Sequence, residues 1–229
     1  MKILITSGGT SEAIDQVRSI TNHATGSLGK IMAEKYLAKE LEVTLVTTKT
    51  AVKPEPQLGL TIVEITDVAS LMETLEQLVP KHDVMIHSMA VSDYSPVYMT
   101  SLDEVKASPN IDNLLEKTNA EGKISSTDDY QVLFLKKTPK VISFIKQWNP
   151  AIQLIGFKLL VNVTKEELFQ VARASLIHNQ ADYILANDLA DIGPERHGAY
   201  LVDHEHSYSA QAKEEIADII LEKVLEKRR

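Results

Sequence analysis

Short, almost wholly apolar runs recur along the chain and alternate with segments whose apolar positions return every three or four residues. Ile3 to Thr6 is the first such run; it breaks at Ser7-Gly8-Gly9-Thr10 and leads into a loop that lasts to Asn22. From Ser27 the period changes, and Ile31, Ala33, Leu37 and Ala38 fall near one stripe, which predicts an amphipathic helix. Val43 to Val46, Thr61 to Ile65 and Val84 to His87 read as further buried strands, with Pro54 and Pro56 marking a loop between the first two. Asp67 is placed to cap a helix carrying Leu71, Leu75 and Leu78, and Pro80 lies beyond its end. The rhythm resumes with a strand over Ile152 to Ile155, a helix from about Lys165 to Asn179 and a strand over Tyr183 to Ala186. A last helix follows Ser209 and gathers Ile216, Ile219, Ile220 and Val224 on one face.

Strands that are apolar on both faces and separated by helices belong to a parallel sheet covered on both sides. The predicted fold is therefore α/β, a Rossmann-like doubly wound sheet, with residues 1–229 as one domain. Two pieces break the rhythm: Gly122 to Leu135, where Tyr130, Val132 and Phe134 alternate, and Gly198 to Tyr208, with Tyr200 and Val202. Both are expected as antiparallel strands outside the parallel core. The stretches 122–140 and 198–208 are accordingly candidates for a small dimerisation flap, and the polar stretch from Tyr98 to Gly122 is expected to be a mobile connection.

Charge narrows the partners. The 24 basic and 32 acidic side chains give a net charge of -8, which argues against a nucleic-acid partner, so any phosphate must be gripped locally. Without cysteine there is no disulfide, thiolate nucleophile or cysteine-ligated zinc, which fits a reducing compartment. The opening MKILITSGGT enters a glycine turn where a signal peptide would continue apolar, and no run approaches the roughly 20 apolar residues that cross a bilayer. The expectation is a cytoplasmic protein with no membrane partner.

Candidate chemistry clusters after the predicted strands. Gly8 and Gly9 follow the first, where glycines let backbone N–H groups approach a phosphate, though the same residues serve a plain tight turn. Asn22-His23-Ala24-Thr25-Gly26-Ser27-Leu28-Gly29 enters the first helix with two hydroxyls beside two glycines, which is either a phosphate cradle or an ordinary helix start. Ser88 to Tyr94 follows the fourth strand; Asp93 there is placed to bind magnesium, to accept from a ligand amide, or only to begin a turn before Pro96. Arg18, Lys123, Lys158 and Asn187 each carry a similar ambiguity between ligand contact and solvated surface. His204 and His206 would share one face of a strand, with no third metal ligand evident. The second strand ends in Thr47-Thr48-Lys49, without the acidic residue a dinucleotide site wants, and no Tyr-x-x-x-Lys pair exists. A nicotinamide or flavin oxidoreductase is thus disfavoured; a non-catalytic nucleotide-binding protein is the other alternative.

Taken in order, these blocks resemble the phosphopantothenoylcysteine synthetase family over nearly the whole chain. Ile5 to Thr10, Ile14-Asp15, Val17-Arg18, Ile20-Thr21-Asn22, Gly26 and Gly29 resemble its opening signature. Ala90 to Tyr94, Lys123 to Ser126, Thr138 to Lys140, Gly156 to Lys158 and Ala186 to Asp188 match five later blocks.

The resemblance implies a ligase of coenzyme A biosynthesis that joins 4'-phosphopantothenate to cysteine. The substrate carboxylate attacks the α-phosphate of CTP (or ATP) with Mg2+, pyrophosphate leaves, and the cysteine amine then displaces the nucleotide from the acyl nucleotide. By the same resemblance, Asn22 and Lys123 are catalytic: the amide of Asn22 stabilises the oxyanion, and Lys123 balances charge on the triphosphate. Arg18, Asn22, Met89, Ala90 and Asp93 would bind the phosphopantothenate, Arg18 reaching across a homodimer. Gly8, Gly9, Thr25, Gly26, Ser27, Lys123, Phe157, Lys158 and Asn187 would bind the nucleotide. No resident metal site is implied, and the chain resembles a stand-alone synthetase without the decarboxylase portion. Met89, Thr25, Ser27 and Ser11 depart from the family pattern, the last two replacing basic residues.

Overall fold

In the computed structural model, which describes residues 1–193 and 196–226, strand β1 (Lys2–Ser7) has no exposed surface at Ile3, Leu4 and Ile5. Successive strand side chains point to opposite faces, so burial of all three requires cover on both sides. Ile3 and Ile5 pack on one helical layer and Leu4 on the other.

A small hairpin follows, β2 (Ser11–Ala13) with β3 (Ser19–Thr21), and then α1 (Ser27–Leu37), β4 (Glu42–Thr48), β5 (Leu60–Ile65), α2 (Val68–Leu78) and β6 (Val84–His87). The middle of the chain holds β7 (Tyr94–Ser101), the short helices α3 (Leu102–Ala107) and α4 (Asp112–Leu115), and β8 (Gln131–Lys137). It closes with α5 (Ile142–Trp148), β9 (Gln153–Leu160), α6 (Lys165–Asn179), β10 (Tyr183–Asp188), β11 (Ala199–Val202), β12 (Ser207–Ala210) and α7 (Lys213–Glu226).

Eight strands form one sheet in the order β12-β11-β10-β9-β6-β1-β4-β5, parallel from β5 to β10. Side chains of α2, α5 and α6 cover one face, those of α1 and α7 the other. Asp67 caps α2 as its sequence position predicts: its carboxylate accepts from the Ser70 N–H at 2.8 Å while Ser70 Oγ accepts from the Asp67 N–H at 3.0 Å. After β1 the chain lays β4 and β5 to one side and then crosses to set β6 on the other. This reversal opens a crevice beyond the carboxyl ends of β1 and β6, where open α/β sheets bind ligands.

Three expectations need correction. β11 and β12 are antiparallel, but they extend the central sheet beside β10 and do not stand outside it. Residues 122–130 form no strand; β8 begins at Gln131 and pairs with β7, whose second half, from Tyr98 on, lies in the stretch expected to be a mobile connection. His204 and His206 occupy the turn between β11 and β12, where the Asp203 carboxylate accepts from the N–H groups of Glu205 and His206 at 2.8 and 2.6 Å. The turn takes the chain off strand geometry, so the two imidazoles do not share a strand face.

Candidate active site

Beyond the carboxyl ends of β1, β6, β9 and β10 lies a cleft of about 720 Å³. Its floor is built by close backbone approach. A Cβ on Gly9 would fall 2.6 Å from the carbonyl oxygen of Asn22, so a side chain there would push the Asn22 segment away. Gly9 and Ala90 continue the β1–β6 pairing past the strands, with the Ala90 N–H donating to Gly8 O at 2.9 Å and the Thr10 N–H to Ala90 O at 3.1 Å. Asn22 Nδ2 donates to the same Ala90 carbonyl at 3.2 Å, which brings the amide to the loop after β6. Gly29 lets α1 settle on the end of β1, since a Cβ at Gly29 would lie 2.1 Å from Ser7 Oγ. The residues of the 25–27 turn, at the start of α1, therefore face the cleft.

Electrostatics distinguish this cleft from the rest of the molecule. Among the described residues, its lining holds Lys140, Lys158 and Lys213 against one carboxylate, Asp93, in a chain of net charge -8. Asp93 is paired with Lys140 at 2.8 Å, and both are exposed at the rim. The site is thus a local patch of excess positive charge at a switch point, bordered by glycine turns and by Phe157.

Residues 1–116 and 113–227 match the family described as DNA/pantothenate metabolism flavoprotein C-terminal domain. The chain belongs to that family. Within it, the chain is 30% identical over 227 residues to the coenzyme A biosynthesis bifunctional protein CoaBC of Thermococcus kodakarensis, covering 97% of this chain and 50% of that one. The chain spans about half the length of the curated relatives it matches. Among solved structures, the DNA/pantothenate metabolism flavoprotein of Streptococcus pneumoniae superposes with a TM-score of 0.95 at 58% identity, over 99% of each chain. A Cab2 mutant in complex with phosphopantothenate-cysteine superposes with a TM-score of 0.74 at 18% identity, over 99% of this chain and 85% of that one, a likeness of fold.

Against this family frame, most residues singled out in the sequence meet at one place. Gly8, Asn22, Thr25, Gly26, Ser27, Met89, Ala90, Asp93, Phe157, Lys158 and Asn187 all line the cleft. Gly9, Arg18 and Lys123 do not. Arg18 is held by Asp15, whose carboxylate accepts from Arg18 Nε and Nη2 at 3.0 and 2.6 Å, from the N–H groups of Val17 and Arg18 at 2.9 and 2.8 Å, and from the Ile124 N–H at 3.1 Å. The Arg18 guanidinium, first among these partners, holds the Asp15 carboxyl far below the usual carboxylate range. Arg18 Nη2 also donates to Ile124 O at 3.0 Å, so the pair clips the Lys123 loop to the β2–β3 hairpin. Lys123 itself is exposed.

Sequence reading passed over His87, His197 and Lys213, which also line the cleft. Nothing local marks them: His87 ends a buried strand, and Lys213 lies 186 residues from the turn it joins. His87 is 7% exposed, with Nδ1 2.9 Å from Thr6 Oγ1. Burial, and secondarily the charge of Lys140, pushes its pKa down to about 4, so it is neutral at pH 7. The unfolded chain binds this proton at a pKa of about 6.5, so the stability contributed is complete above that value and is lost as pH falls towards the folded pKa. A drop from pH 7 to pH 5 is expected to cost about 2 kcal/mol from His87 alone. Burial lowers His82 and His197 as well, which adds in the same direction. Urea unfolding of wild type and His87→Gln at both pH values checks this: the variant should show the shallower dependence, and equal slopes would remove His87 as the cause.

Proposed function

We propose that the chain catalyses formation of 4'-phosphopantothenoylcysteine from 4'-phosphopantothenate and L-cysteine, with a nucleoside triphosphate as activating co-substrate. The observation that carries the reading is the lysine-rich cleft at the β1/β6 switch point, in an otherwise acidic protein of a family whose relatives are named for coenzyme A biosynthesis. Phosphopantothenate and the triphosphate both bring phosphate, and a carboxylate oxygen is a poor leaving group until phosphorylated. In the first step that oxygen attacks the α-phosphorus, the bond to the β-phosphate breaks, and pyrophosphate departs with the electron pair. In the second, the cysteine nitrogen attacks the acyl carbon, and the nucleoside monophosphate leaves as the amide forms and the amine proton is lost.

In this scheme the 25–27 turn and Lys158 hold the phosphates, Phe157 and Asn187 border the nucleoside, and Met89, Ala90 and Asp93 line the pantothenate channel. Asn22 Nδ2, now on Ala90 O, is the donor for the oxyanion of the second step. Magnesium arrives with the triphosphate, its ligands mostly phosphate oxygens and water. The β7–β8 ribbon exposes Tyr94, Tyr130 and Leu135, and we take it as the contact surface of a homodimer. Across that dimer Arg18 Nη1, which its bonds to Asp15 and Ile124 leave over, is the group offered to a phosphate in the second protomer.

Pyrophosphate release by the purified protein with magnesium, 4'-phosphopantothenate and cysteine, with CTP and ATP compared side by side, tests the reading. The expected result is release that depends on phosphopantothenate and is faster with CTP. No release with either nucleotide, from folded protein, would leave family and fold in place and remove the ligase activity.

A further inference from the structure

The turn at Thr25, Gly26 and Ser27 offers hydroxyls and backbone N–H groups but no cation, and Lys30, one turn into α1, lies 3.7 Å from Glu34. The structure supplies a cation from the far end of the chain. α7 packs beside α1 on the same face of the sheet, with Lys35 and Asp218 joined across the pair at 2.5 Å. The first residue of α7, Lys213, therefore stands beside the first residue of α1, and its Nζ donates to Ser27 Oγ at 2.8 Å inside the cleft lining. Among the described residues no carboxylate pairs with this ammonium. Glu215, in the same first turn, instead accepts from the Gln211 N–H at 2.7 Å.

An ammonium has three donors, and a single neutral hydroxyl leaves two unspent. Its position is also unfavourable without an anion beside it, because the start of an eleven-residue helix already carries partial positive charge. An anion seated on the turn reverses the sign of both effects. We propose that Lys213 is a ligand of the polyphosphate tail of the nucleoside triphosphate, resting on Ser27 Oγ when the tail is absent. The inference rests on the ligase reading only in taking a triphosphate as the occupant. It places the charge that Ser27 does not carry on a different element of the fold, and it makes α7 part of the nucleotide site.

Calorimetric titration of magnesium tripolyphosphate, CTP and 4'-phosphopantothenate into wild type, Lys213→Gln and Lys213→Arg tests it. Lys213→Gln is expected to weaken tripolyphosphate and CTP binding about 10- to 100-fold, the usual range for a lost hydrogen bond to a charged group. Phosphopantothenate binding should not change, and Lys213→Arg should recover most of the loss. A purely structural role at the start of α7 would instead weaken all three ligands together, which overturns the proposal, as does wild-type affinity for tripolyphosphate in Lys213→Gln. Wild-type protein that binds no tripolyphosphate overturns it too. If Lys213→Gln does not fold, protection of Lys213 from acetylation by tripolyphosphate in the wild-type protein decides the matter: protection supports the contact and unchanged labelling overturns it. Tripolyphosphate binding without ligase turnover would sink the ligase reading and leave Lys213 standing; turnover that is indifferent to Lys213→Gln would do the reverse.

Discussion

Asn22→Asp is expected to lower amide formation by about 100-fold or more while acyl nucleotide accumulates, because in the proposed mechanism the substitution removes one preorganised donor and leaves the first step intact. The geometry explains the selectivity. Asn22 Nδ2 is directed at Ala90 O, and the segment is held there because Gly9 has no side chain to displace it. Aspartate keeps the shape but replaces a donor by a negative charge, which repels both the Ala90 carbonyl and the oxyanion that forms as cysteine attacks. Triphosphate consumption has no such oxyanion on carbon and should continue to the first turnover. Mass spectrometry of acid-quenched reactions reads the outcome directly, and full turnover without trapped intermediate would take Asn22 out of the second step.

Lys123→Gln should act one step earlier. Pyrophosphate release is expected to fall by about 100-fold or more, with no acyl nucleotide formed, since the charge that develops on the departing pyrophosphate loses its cation. The side chain is exposed and outside the cleft lining, so its action requires the Lys123 loop to move towards the triphosphate or a second protomer to present it. The proposed mechanism therefore expects the two variants to separate: one should trap an intermediate, and the other should never make it. Unchanged pyrophosphate release in Lys123→Gln would remove that lysine from the mechanism.

The parts of the fold that were legible in the sequence are those where a local pattern carries the answer. Val84–His87 and Lys165–Asn179 keep their boundaries because apolar run, cap and length agree within each segment. β7 escaped notice because Ser95, Pro96 and Thr100 interrupt its apolar alternation and its partner strand lies some thirty residues on. β11 and β12 were recognisable as antiparallel, yet alternation cannot say which strand they hydrogen-bond; β10 takes β11, and β11 takes β12. The Gly8-Gly9 turn and the Ala90–Asp93 loop were readable as ligand-facing because each follows a parallel strand, and the ends of parallel strands are brought together by the sheet itself; the Gly26 turn was readable because it opens a helix. Lys213 and His197 carry no such marker, since only the packing of α7 on α1 and the β11–β12 edge delivers them to the cleft.

The clip at Asp15 ties two distant pieces of chain to one carboxylate. Its oxygens serve the β2–β3 hairpin through Val17 and Arg18 and the Lys123 loop through Ile124, while the Gln16 N–H donates to Gly122 O at 3.1 Å. Loosening either side leaves unsatisfied donors on the other, which couples the local stability of the hairpin to that of the loop.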